Sequence, residues 1–159
     1  MDTITALFNE MGFAVEEERL PEAVLYSVAR TFNVAARAMA HVYQRFGLTP
    51  ASFNLLLLLK NGRQPETFTQ HAVGKRLVVS PSNMTGLIDR MAAKGWVRRI
   101  PGRDRRSKIL QITPKGAKLL DTVWPHHTAA VKQLPQALNA EDTRTLVKLL
   151  TRFRHALEA

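Results

Sequence analysis

Apolar residues recur at steps of three and four along most of the chain, the spacing of helices that bury one face. The longest run extends from Pro21 to about Phe46. Val24, Leu25, Val28, Phe32, Ala35, Ala36, Met39, Val42, Tyr43 and Phe46 mark its stripe, and Gly47 ends it. Pro21 suits a first helical position, where its missing N–H would have had no partner. Residues 2–19 predict a shorter helix before it, capped by Asp2, with Ile4, Leu7, Phe8 and Met11 on one side and Gly12 as the stop. Thr49-Pro50 opens a helix to about Lys60 that Asn61-Gly62 stops. The run "LLLLL" inside it is apolar nearly all round and predicts deep burial. Phe68-Thr69 supplies a hydrophobic staple and an N-cap for a helix over Gln70–Leu77, and Ser80-Pro81 starts another that ends at Lys94-Gly95.

There the period changes. Val97–Ile100 and Ile109–Ile112 read as two short strands, parted by the Pro101-Gly102 break and "RDRR". Thr113-Pro114 begins a further helix running towards Trp124-Pro125. Asn139 caps a last helix whose stripe is Leu146, Val147, Leu149, Leu150, Phe153 and Leu157. Counted from the long helix, the order is α-α-α-α-β-β-α-α, a mainly α fold. Helices 70–77 and 80–94 with their short turn form a helix-turn-helix, and the strand pair after them is a wing. Residues 49–116 then make a winged helix-turn-helix domain, between helices at 1–48 and 117–159.

Composition narrows the class. A length of 159 residues with 45% apolar content predicts about one domain with a sizeable core. No run of apolar residues is long enough to span a bilayer. No basic segment precedes an apolar stretch at the start, so no signal peptide is expected. Cysteine is absent, which removes disulfides, cysteine-ligated zinc and thiol redox sensing and fits a reducing cytoplasm.

Charge changes the picture more. Thirteen basic residues and three acids lie between Thr49 and Gly116, so that segment carries the entire net charge of +10 and the rest of the chain balances. A neutral frame around one basic module is the footprint of a polyanion binder, and double-stranded DNA is the expected partner. Six basic residues crowd the hairpin (Arg98, Arg99, Arg103, Arg105, Arg106, Lys108) around a single acid, Asp104.

In a helix-turn-helix the second helix enters the major groove with its N-terminal residues at base edges. Here these are Ser80, Ser82, Asn83, Met84 and Thr85. Ser80 reads mainly as the cap, which leaves Ser82, Asn83 and Thr85 as the polar candidates. A basic hairpin beside that helix would reach a flanking minor groove, where a narrow A·T-rich tract attracts arginine. Lys75 and Arg76 either contact the DNA backbone or form the exposed face of their helix. Arg90 either touches phosphate or pairs with Asp104. Asp89 pairs locally, since a bare acid beside phosphate is unfavourable. Trp96 is expected in the core under the wing.

The stretch from Val73 to Leu120, "VGKRLVVSPSNMTGLIDRMAAKGWVRRIPGRDRRSKILQITPKGAKLL", resembles the MarR family of bacterial transcription regulators. The Val-Ser start, "LIDRM", "KGWVRR", "DRR" and "ITPKG" carry the resemblance. It implies a winged helix-turn-helix homodimer that binds palindromic DNA, with the first and last helices as the dimer interface and a small ligand often relieving repression. By the same resemblance Arg106 is the wing-tip arginine, Asp104 its orienter through paired hydrogen bonds, and Arg103 and Arg105 lie along phosphates. Family ligand pockets lie between the dimer helices and the DNA-binding lobe. That suggests His41, Arg45, Phe53 and Leu57 for an anionic aromatic effector, although His41 and Arg45 read equally as surface groups. Two positions depart from the family. Gly86 stands where an arginine is frequent, and Val78 where glycine is frequent, which puts the operator in doubt and not the fold.

Catalysis has little support. The five histidines are scattered, with no HExxH and no glycine-rich phosphate loop. His126 and His127 are adjacent, so on a helix their rings diverge by about 100° and chelate poorly. No metal or cofactor is expected. The alternative to a sequence-specific, ligand-responsive repressor is a nonspecific architectural DNA binder without a ligand.

Overall fold

The computed structural model describes residues 3–13, 20–77, 80–102, 108–133 and 138–158. Among these the order is α1 (Thr3–Glu10), α2 (Leu20–Gln44), α3 (Pro50–Asn61), a single 3-10 turn (Pro65–Thr67), α4 (Gln70–Leu77), α5 (Pro81–Ala93), β1 (Val97–Pro101), β2 (Lys108–Ile112), α6 (Pro114–Gln133) and α7 (Ala140–Glu158). The chain divides into two compact units, Met1–His41 and Val42–Ala159.

In the first unit α1 is shorter than residues 2–19 suggested, and the Asp2 cap lies outside the described residues. Arg30 pairs with Glu10 at 2.8 Å, and the Phe13 and Tyr26 rings lie 6.0 Å apart. Val24, Leu25, Val28, Phe32 and Val34 of α2 are exposed.

The second unit holds the helix-turn-helix and its core. A capping box sets the start of α3: Ser52 N donates to Thr49 Oγ1 at 3.2 Å and Thr49 N donates to Ser52 Oγ at 2.7 Å. The leucine run then buries Leu55, Leu56 and Leu59 beside Phe53, while Leu57 and Leu58 are half-buried. Phe68 before α4, with Val73, Met84, Ile88, Met91 and Val97 from α4, α5 and β1, completes the packing. Each large apolar side chain so buried contributes about 1.5–3 kcal/mol. Thr69 caps α4 by accepting from Ala72 N at 3.2 Å.

The hairpin pairs Val97 with Ile112, Arg99 with Leu110 and Pro101 with Lys108 in antiparallel register. Leu110 N also donates to Phe68 O at 2.8 Å, which ties β2 to the segment before α4. The first turn of α6 presses on the end of this hairpin, and only glycine fits there. A Cβ on Gly116 would lie 2.2 Å from the Trp96 carbonyl oxygen.

One boundary is corrected. α6 does not stop near Trp124-Pro125 but continues to Gln133 with Pro125 inside it. An interior proline removes one backbone hydrogen bond and costs about 3 kcal/mol. Aromatic packing just beyond it offsets that cost. The His127 ring lies 4.6 Å from Phe53 and 5.2 Å from Trp124, and the His126 ring 5.1 Å from Phe46.

Candidate nucleic-acid interface

The start of α5 is built to present short polar groups. Ser80 caps the helix by accepting from Asn83 N at 3.4 Å, so its side chain is structural, as the sequence suggested. One face of α5 is apolar and sealed: Met84, Leu87, Ile88 and Met91 are buried. Met84 is thereby removed from the groups that reach a base, because the helical period turns it inward. Ser82, Asn83, Thr85, Asp89 and Arg90 are exposed.

These exposed residues are not equivalent. Thr85 Oγ1 accepts from Gln70 Nε2 of α4 at 2.6 Å. Asp89 Oδ1 accepts from Arg99 Nη2 of β1 at 2.6 Å, the local pairing expected of that acid. The two contacts sit one helical turn apart and lock α5 against its neighbours on either side. On the adjoining face, Thr49 and Ala51 at the start of α3 and Ser80, Ser82, Asn83, Gly86 and Arg90 of α5 line an open cleft of about 430 Å³. The Arg90 guanidinium has no hydrogen-bond or ion-pair partner among the described residues.

The other cations divide in the same way. Arg76 donates to Thr67 Oγ1 at 3.2 Å and its guanidinium lies 5.1 Å over the Phe68 ring, so it is partly committed to packing. Lys75 is exposed on the same helix. Arg98 donates to Gln111 Oε1 across the hairpin at 2.8 Å. Lys94 sits 4.5 Å over the Trp96 ring and donates to Gly47 O at 3.1 Å. Trp96, expected in the core, is only half-buried and is not among the buried core residues. Arg103, Asp104, Arg105 and Arg106 lie outside the described residues, as do Val78 and the Arg90–Asp104 pairing.

The four residues suggested for an effector are distributed less neatly. His41 belongs to the first unit and is exposed. Arg45 is exposed in the turn after α2, and Leu57 is half-buried. Phe53 is fully buried: its ring stacks on Tyr43 at 4.4 Å and meets His127 at 4.6 Å. Tyr43 Oη lies 2.8 Å from His127 Nδ1. Burial pushes the Tyr43 hydroxyl up to about 12 and lowers the His127 imidazole below its ordinary value, so both are neutral near pH 7. The sequence carries a signal for this pair. Tyr43 lies on the apolar stripe of α2, and an aromatic imidazole at His127 can pack on that stripe as well as bind a metal.

A helix-turn-helix followed by a two-stranded wing, with a sealed apolar face and an exposed polar start on its second helix, defines a winged helix-turn-helix protein. The chain matches the MarR family over residues 46–107, from the turn after α2 to beyond β1. The HTH-type transcriptional regulator YkoM of Bacillus subtilis strain 168 is 30% identical over 143 residues, covering 88% of this chain and 91% of YkoM. AbsC, a MarR family transcriptional regulator from Streptomyces coelicolor, is 22% identical and shares the fold with a TM-score of 0.79, over 91% of this chain and 97% of AbsC. The transcriptional repressor CouR, solved on a 23-mer DNA duplex, is 25% identical with a TM-score of 0.74, over 89% of this chain and 99% of CouR. CouR from Rhodococcus jostii RHA1 has also been solved with p-coumaroyl-CoA. The chain belongs to the MarR family of helix-turn-helix transcriptional regulators.

Proposed function

We propose that this protein is a repressor that binds a palindromic operator as a homodimer and responds to a small ligand. The observation that carries the reading is the coincidence of charge and geometry. The segment holding the whole +10 surplus also holds the exposed polar start of α5 and the basic hairpin beside it. Residues 49–116 supply the DNA contacts: Ser82, Asn83 and Thr85 at the groove, Lys75, Arg76 and Arg90 near the helix, and Arg103, Arg105 and Arg106 on the wing with Asp104 as orienter. Segments 1–48 and 117–159 supply the dimer face. The exposed apolar residues of α2 and α7 support that assignment, since a row of large apolar side chains left in water marks an interaction surface.

The effector reading draws on CouR, which is described with both a DNA duplex and an aromatic acyl-CoA. Arg45 and His41 are exposed cation or imidazole groups for an anionic aromatic molecule. Phe53 and Leu57 are the apolar residues of the same proposal, Phe53 acting through its packing on Tyr43.

Selection of binding sites from a random DNA pool at near-physiological salt tests this function. The expected result is one enriched palindrome with half-sites about ten base pairs apart. Its affinity should fall with salt at a log–log slope of about −7, as about eight phosphates are neutralised. Retention of DNA without an enriched sequence would establish the architectural alternative, and no retention would remove DNA from the account.

A further inference from the structure

The two exposed faces of α5 point to a residue that sets sequence specificity. Thr85 and Asp89, four positions apart, are tied to Gln70 and Arg99. Ser82, Gly86 and Arg90, also four apart, form the next line along the helix, with Asn83 beside them. Position 86 in the middle of that line has no side chain. A Cβ built on Gly86 would lie 3.2 Å from Arg90 Nη1. Helical side chains lean towards the N-terminus and over the preceding turn. The Arg90 guanidinium has therefore folded back one turn, into the space that a side chain at position 86 would occupy. It carries five N–H donors and has no partner among the described residues. The groups around it are small, Ser82, Asn83 and Gly86, so nothing bulky keeps the helix from approaching a groove.

We propose that Arg90 is the base-reading guanidinium of α5 and that Gly86 is what allows it to be. Within the DNA-binding reading on which this rests, Arg90 donates two hydrogen bonds to O6 and N7 of one guanine in each half-site. Guanine is the base whose major-groove edge offers two adjacent acceptors that match the guanidinium fork. Asp89, the neighbouring acid, does not compete for the guanidinium, because it is held by Arg99 on the other face. Arg90 and Gly86 thus act as a unit, in which the missing side chain determines where the arginine points.

The test repeats the site selection with the wild-type chain, Arg90→Ala, Arg90→Lys, Gly86→Ala and the double variant. All the substituted side chains are solvent-facing or absent, and thermal melting confirms that each variant is folded. Arg90→Ala is expected to keep the palindrome, lose preference at one guanine per half-site and bind about 10- to 100-fold more weakly. Arg90→Lys keeps most of the salt slope but not the guanine preference, because a point charge lacks the fork. Gly86→Ala weakens binding several-fold when Arg90 is present and has no effect on Arg90→Ala. That coupling is opposite to what helix propensity alone would give, since alanine favours helix. Uniform weakening by Arg90→Ala with the guanine preference intact would make Arg90 a phosphate contact and overturn the proposal. So would unchanged binding, or a Gly86→Ala effect that persists without Arg90. If the wild-type chain binds no DNA at all, the function itself fails, an outcome distinct from each of these.

Discussion

Helices α3 and α7 both carry leucine-rich apolar positions, yet they end in opposite surroundings. α3 has twelve residues and buries five of them, Ser52, Phe53, Leu55, Leu56 and Leu59. α7 has nineteen residues and buries none. Its Leu146, Val147, Leu149, Leu150 and Leu157 are exposed, Leu157 to 68%. The difference lies in the pattern. Apolar residues nearly all round α3 demand neighbours on every side, and α4, α5, α6 and β2 supply them. The one-sided stripe of α7 needs a single surface, and among the described residues none buries it. The first helix fits an interior, and under the proposed function the second meets a second copy of the chain.

Substitutions at the two helices should separate these roles. The largest effect is expected at α3. Phe53→Ala removes a ring packed between Tyr43 and His127 and should cost about 3–5 kcal/mol of stability, measured by denaturant unfolding. Leu150→Asp on α7 should leave the fold of the single chain intact and instead break self-association. A charge buried without a partner at the interface costs about 3 kcal/mol, read as a rise of more than a hundredfold in the dimer dissociation constant by sedimentation. A loss of folding stability as large as that of Phe53→Ala would erase the distinction between the helices.

Smaller effects sharpen it. Arg106→Ala on the wing should weaken operator binding by about 1–3 kcal/mol with neither stability nor self-association altered; unchanged affinity would take Arg106 out of the site. The smallest effect is that of pH. Burial lowers the His127 imidazole, so the unfolded chain holds its proton more tightly than the folded one. Stability is then complete above the ordinary histidine value of 6.5 and declines as pH falls through the lower folded value. Tyr43 acts at the other end. Its hydroxyl stays protonated up to about 12 in the fold, so stability drops as pH rises from 10 towards that value. His127→Gln should flatten the acid limb in thermal melts and leave the alkaline limb.

Most of the fold was legible because its signals are local. The Thr49-Pro50 start, the Thr69 and Asn139 caps and the switch to strands at Val97 each depend on a few adjacent residues, and each is found in place. The end of α6 was not legible. Proline at 125 is a strong local stop, and what overrides it is packing of His126 and His127 on residues some eighty positions earlier. The site divides in the same way. Helical period places Ser82 and Asn83 outside and would also have placed Met84 inside. The commitment of Thr85 to Gln70 and of Asp89 to Arg99 depends on how α4 and β1 approach α5, which no short pattern encodes. The orientation of Arg90 depends on an absence, the missing side chain of Gly86, and an absence carries no apolar or charge signal.

Under the proposed function the stripe on α7 and the exposed face of α2 bring two winged helices together. The most direct test is the mass of the protein in solution by sedimentation equilibrium at micromolar concentration, with and without the selected operator duplex. A homodimer requires twice the chain mass of 17.9 kDa for the free protein and two chains per duplex in the complex. A free protein of single-chain mass that still loads one chain per site would contradict it.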